Sequence, residues 1–197
     1  SMSMKIFYRI VLLMVTGCLL FGFSSAFANS PTQYETVVQA LESTKEFLIT
    51  DGTLKFSEGN PDKIEIVITV FPGDINKVIE EETMRSLVFA FIVVFAQTDV
   101  QKLKIKAIPA ELNFKTKKQR LLKKKSLSAT ISRKKMNRLL KQYVGIDSCQ
   151  SLIGDMYFGN EVIHDMLLEK SDCIMYNDQG KPGLKRFFSE MNSLPFQ

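Results

Sequence analysis

The 197-residue chain is 45% hydrophobic and carries a formal net charge of +5, with three cysteines and a single histidine. That apolar content supports a packed core and excludes an overall disordered chain, while so few cysteines and histidines do not favour a structural zinc domain. The charge is unevenly spread: residues 1–28 balance to +2, residues 29–100 to −7, residues 101–141 to +14 and residues 142–197 to −4.

The first 28 residues read as a cleaved export signal. Lys5 and Arg9 form a positive start, residues 10–23 are apolar, and Ala26-Phe27-Ala28 is a small-x-small cleavage pattern before Asn29. The apolar run is shorter than the roughly 20 residues a membrane span needs. The chain is therefore expected to be periplasmic or secreted, with no transmembrane span in the mature part. Val15-Thr16-Gly17-Cys18 also resembles a lipoprotein box, leaving lipidation of Cys18 as an alternative. In an oxidising compartment, Cys149 and Cys173 are expected to pair, closing a loop worth roughly 3–4 kcal/mol in the chain-entropy model. Residues 29–197 are expected to form a single domain.

Ser30-Pro31 is a good helix opening, followed by an apolar face of Tyr34, Val37, Val38, Leu41 and Leu48, with Asp51-Gly52 as its end. Residues 53–56 are a short strand candidate and Gly59-Asn60-Pro61 a turn. Residues 63–71 alternate, with Ile64, Ile66, Ile68 and Val70 on one side and Glu65, Val67, Thr69 and Phe71 on the other, which predicts a strand. Pro72-Gly73 stops it, and Asp74 can cap the next helix. Residues 75–99 begin acidic, at Glu80, Glu81 and Glu82, and are apolar throughout residues 87–96. This predicts a central helix buried on most sides, with a buried strand over residues 87–96 as the rival.

A second strand comes next, at residues 100–109, with Leu103, Ile105 and Ala107 inward, Lys102, Lys104 and Lys106 outward, and Pro109 closing it. A third is expected over residues 121–131, with Leu127, Ala129 and Ile131 inward. Ser132 should cap a helix whose apolar face is Met136, Leu139, Leu140 and Tyr143, ended by Gly145. Residues 146–197 read as a helical subregion: Asn160 caps residues 161–170, with Ile163, Met166 and Leu167 inward. Residues 176–183 form a turn, and Pro182 starts a last helix through Leu184, Phe187, Phe188 and Met191. The order implies an α+β fold, a small and largely antiparallel sheet packed against helices.

Residues 115–141 hold twelve Lys or Arg and no acid. Lys102, Lys104, Lys106, Lys115, Lys117, Lys118, Arg120, Lys123 and Lys125 are expected to gather as one positive surface if the second and third strands pair. Such a surface either binds an anionic partner or is a solvated face that discourages strand-edge pairing. Arg133, Lys134 and Lys135 open a helix, where the dipole disfavours cations, so their charge is expected to serve another purpose. Phe114 is the one aromatic in residues 112–141, sparse for base stacking. An acidic protein or an anionic envelope surface is thus preferred over nucleic acid.

No catalytic motif, metal-ligand cluster or cofactor signature is legible. His164 lies at helical spacing beside Glu161 and Asp165, and a satisfied structural or surface histidine is the simpler reading. The expected function is a non-enzymatic binding module of a bacterial envelope. The alternative is a small exported hydrolase with an unorthodox site.

Overall fold

In the computed structural model, which describes residues 30–57, 60–177 and 183–193, the two alternating runs lie side by side at the centre of a five-stranded sheet. They are β2 (Asn60–Val70) and β3 (Lys102–Leu112), parallel to one another and joined by the central helix α2 (Asn76–Gln97). Parallel neighbours need such a crossover, because a tight turn cannot reverse the chain twice. The other pairings of this sheet are antiparallel: β1 (Leu54–Ser57) on β2, and both β4 (Gln119–Leu121) and β5 (Leu127–Ser132) on β3. The fold is α+β. The expected export segment 1–28, with Cys18, and the turn and helix-start residues Gly59 and Pro182 lie outside the described residues.

Ile64, Ile66, Ile68 and Val70 face the core, as do Leu103, Ile105 and Ala107, and all are at most 4% exposed. Helix α2 covers this inner face. Its other sides are covered by α1 (Val37–Ser43), α5 (Leu184–Asn192), the short helix α4 (Asp172–Met175) and a 3-10 turn at Cys149–Leu152. A helix enclosed in this way needs no polar stripe, and every residue from Ala90 to Gln97 is buried. No helix among the described residues is long and apolar enough to cross a membrane.

The first helix begins later than expected. Thr36 is its N-cap, in a reciprocal pair with Gln39: Gln39 N donates to Thr36 Oγ1 and Thr36 N to Gln39 Oε1, each at 3.1 Å. The preceding residues serve α2 instead. Gln33 Nε2 donates to Ala96 O at 2.9 Å, and Tyr34 N to Gln97 O at 2.7 Å. Asp74 does not cap α2 either; it accepts from Phe71 N at 2.9 Å and closes the turn ahead of the helix.

Pro109 does not end β3, and the expected third strand is broken in two. These two departures have one cause. Pro109 O accepts from Leu122 N at 2.8 Å, so the position that lacks an N–H faces the β4–β5 side and spares the parallel ladder to β2. On that side Ala110 pairs with Leu121 but Ala107 pairs with Leu127, a slip of three residues. The residues looped out are Lys123, Lys124 and Lys125, wound into one 3-10 turn.

Ser132 caps α3 (Arg133–Val144) by accepting from Lys135 N at 3.1 Å, and Gly145, at φ +78°, ends it as expected. The helix expected over residues 161–170 is instead a strand. β6 (Ile153–Phe158) and β7 (Glu161–Leu167) form a separate hairpin turned by Gly159-Asn160, with Gly159 at φ +61°. The spacing of Ile163, Met166 and Leu167 is helical and breaks strict strand alternation, and Ile163 is 39% exposed on the hairpin.

The expected Cys149–Cys173 disulfide is absent; both thiols are free. Each is held by its own element. Cys149 is buried in the core, and burial pushes its thiol up to about 12. Cys173 is partly exposed at the start of α4 and turns back to donate to Lys170 O at 3.7 Å. Burial, as the main cause, raises its thiol pKa as well.

Candidate anion-binding surface

The outer face of the sheet is set by strand alternation. Lys102, Lys104 and Lys106 are exposed, and their antiparallel neighbours on β5 are Ser132, Thr130 and Ser128. Lysine thus lies opposite hydroxyl three times in succession, with no acid in the ladder. Across β2, Lys106 neighbours Glu65, which in turn neighbours Lys55. The face is not polar throughout: Val67 and Ile108, side by side in register, are both 4% exposed.

The remaining bases lie beyond the end of β3. Asn113 shapes the β3–β4 loop, accepting at Oδ1 from Lys115 N at 2.9 Å and Thr116 N at 3.1 Å. Lys117, at φ +59°, donates its N–H to Asn113 O at 2.8 Å. These contacts use backbone groups, so Lys115, Lys117 and Lys118 keep exposed side chains. Arg120 pairs with Glu111 at 2.7 Å, and Lys125 Nζ donates to Asn76 Oδ1 at 2.5 Å. Lys123 and Lys124 are exposed on the extruded turn.

The nine expected site residues therefore form an elongated strip. At about 3.3 Å per residue, β3 alone spreads it over roughly 30 Å. Lys102, Lys104 and Lys106 occupy one half of β3, and the other six lie around its far end. Lys124, Lys55 and Lys63 extend the strip and are not among the residues expected from sequence. Lys55 and Lys63 lie far from the basic run in the chain and reach this face only through strand pairing.

Arg133 and Lys135 are structural. Arg133 donates from Nη1 to Phe95 O at 2.7 Å, from Nη2 to Thr98 O at 2.5 Å and from Nε to Val100 O at 3.1 Å. Lys135 Nζ donates to Met191 O at 3.0 Å and also to Ser193 O. Two bases at the start of α3 thus cap the carbonyl ends of α2 and α5, which explains cations at an unfavourable helix terminus. Burial first, and the nearby Arg138 second, lower the Lys135 pKa. Lys134 alone of the three projects from the surface.

An open depression of about 340 Å³ is lined by Lys77, Glu80, Glu81, Met84, Asn177 and Lys185. His164 lies on a strand, so its partner is not Glu161 or Asp165. Its Nδ1 lies 3.0 Å from Oδ1 of the buried Asp155, across the hairpin. No group of three or more potential metal ligands occurs among the described residues.

Fold and surface together define an α+β domain with exposed bases on the outer face of β3 and around its far end. No protein-family profile matches the chain, and neither a curated protein nor a solved structure does.

Proposed function

We propose that this protein is an exported, non-enzymatic binding module that engages an anionic partner through the basic strip. The observation that carries the reading is the exposed lysine row of β3, set opposite hydroxyls with no acid in its ladder to β5. An acidic protein or an anionic envelope surface suits it better than nucleic acid, because Phe114 is the one aromatic between residues 112 and 141.

Lys102, Lys104 and Lys106 point away from the core, so replacing all three by Glu should leave the fold intact. Lysines near an anionic surface contribute about 1 kcal/mol each, so capture of envelope components should weaken on the order of a hundredfold. Added salt should weaken capture by the native protein, since exposed charges are screened over about 8–10 Å at physiological ionic strength. A folded triple variant that holds the same components as tightly would assign the lysines to solubility alone.

A second reading, a small exported hydrolase, is favoured by one observation. An imidazole held at Nδ1 by a buried carboxylate is the arrangement of a general base. Under this reading, His164→Ala removes any ester or amide hydrolysis by the protein. Turnover that survives the substitution in full would reject it.

A further inference from the structure

Three loops meet at the far end of the strip. The turn after β2 places Phe71 against Phe114 of the β3–β4 loop, ring centroids 5.6 Å apart and planes 17° apart. The extruded lysine turn is tied to the start of α2 by the Lys125–Asn76 hydrogen bond. This end exposes large apolar side chains. Ile75 is 64% exposed, Phe114 48%, and Val78, one helical turn beyond Ile75, 38%. Residues 113–125 add seven bases and no acid.

From this arrangement we infer that the loop end is a membrane-docking tip: Ile75, Val78 and Phe114 enter the interface of a bilayer whose anionic phospholipid headgroups are held by the surrounding lysines. The inference rests on the basic-strip reading above and names its partner. Apolar side chains beside a run of bases are what an interfacial anchor requires, since partition of the former adds to attraction of the latter. Six of the seven bases are lysines, point charges on flexible stems that suit mobile headgroups. A site reading fixed carboxylates or phosphates favours the planar guanidinium fork, and the one arginine, Arg120, is already engaged by Glu111. Nucleic acid fits less well, because Ile75 and Val78 offer bases no stacking surface and Phe114 already has one ring face against Phe71.

The chain contains no tryptophan, so a Phe114→Trp variant of the full chain reports that position alone, whatever else the chain binds. Its emission should shift to the blue with vesicles of phosphatidylcholine mixed with phosphatidylglycerol. It should not shift with phosphatidylcholine alone, and high salt should reverse the shift. Adding Ile75→Ser and Val78→Ser should lower vesicle partition at least about tenfold, with the circular dichroism spectrum unchanged. Binding to anionic vesicles without a shift would overturn the tip while leaving the strip. The tip alone would also be overturned if vesicles do not bind but envelope components are still captured in a manner that needs Lys102, Lys104 and Lys106. Failure of both kinds of binding would overturn both readings. An emission change with single-stranded oligonucleotide but not with vesicles would replace the bilayer by nucleic acid.

Discussion

Replacing Arg133 by Met should lower the unfolding free energy by about 3 kcal/mol, read as a lower urea midpoint at unchanged slope. The guanidinium donates to three carbonyls around the end of α2 and lies 5.2 Å from the Phe95 ring centroid. The last four carbonyls of that helix lack helical partners by geometry. Here each is met: Val94 O by Thr98 N, Phe95 O by Arg133, Ala96 O by Gln33 and Gln97 O by Tyr34 N. Removing Arg133 orphans Phe95 O, in a helix whose final residues are all buried, and the cost of an unpaired buried carbonyl adds to the lost charge–dipole attraction. Met keeps most of the apolar stem, so the loss isolates the head group. Arg133→Lys should recover only part of it, since an ammonium cannot reach three divergent acceptors in one plane. A midpoint equal to that of the native protein would mean that water caps the helix equally well.

Phe91→Ala should cost more, about 4 kcal/mol. Phe91 is fully buried in the second half of α2, its ring centroid 6.2 Å from that of Phe95. The sheet covers one side of α2, and α1, α4, α5 and the Cys149–Leu152 turn cover the rest, so no flexible surface lies nearby to collapse into the void. Val78→Ala, on the exposed first turn of the same helix, should change stability by less than about 0.5 kcal/mol. Because Arg133 lies over Phe95, and Phe95 stacks on Phe91, the Arg133 and Phe91 losses should fail to add, and a double-mutant cycle measures the coupling. Equal losses at positions 78 and 91 would reject the enclosed-helix account.

Much of the strip was legible in the sequence because strand alternation is a strictly local rule. Once Leu103 and Ile105 are inward, Lys102, Lys104 and Lys106 must be outward. The roles of Arg133 and Lys135 were not legible. Their acceptors, Phe95 O and Met191 O, lie 38 and 56 residues away, and no local pattern marks a carbonyl as needing a distant donor. The apolar cluster at the tip was hidden for the same reason: Ile75 and Phe114 share one end of the sheet only because β2 and β3 run parallel and end together. The β6–β7 hairpin was a different failure. Its Gly159-Asn160 turn was present in the sequence, but the spacing of Ile163, Met166 and Leu167 matched the helical period and broke strand alternation.

By itself, the sequence determined the elements whose signals are local: the two alternating strands, the apolar central helix, the Ser132 cap and Gly145 stop of α3, and the gross charge imbalance. Only the tertiary structure decided that β2 and β3 pair in parallel, that Pro109 lies where the neighbouring strand slips by three residues, and that Lys123, Lys124 and Lys125 are extruded there. It alone turned Arg133 and Lys135 from surplus charge into helix caps, and left Cys149 and Cys173 unpaired. The division has a physical origin. Side-chain period, capping and turn chemistry act within about one turn or a few residues, whereas strand partner, carbonyl satisfaction and thiol proximity depend on which distant segments share the core.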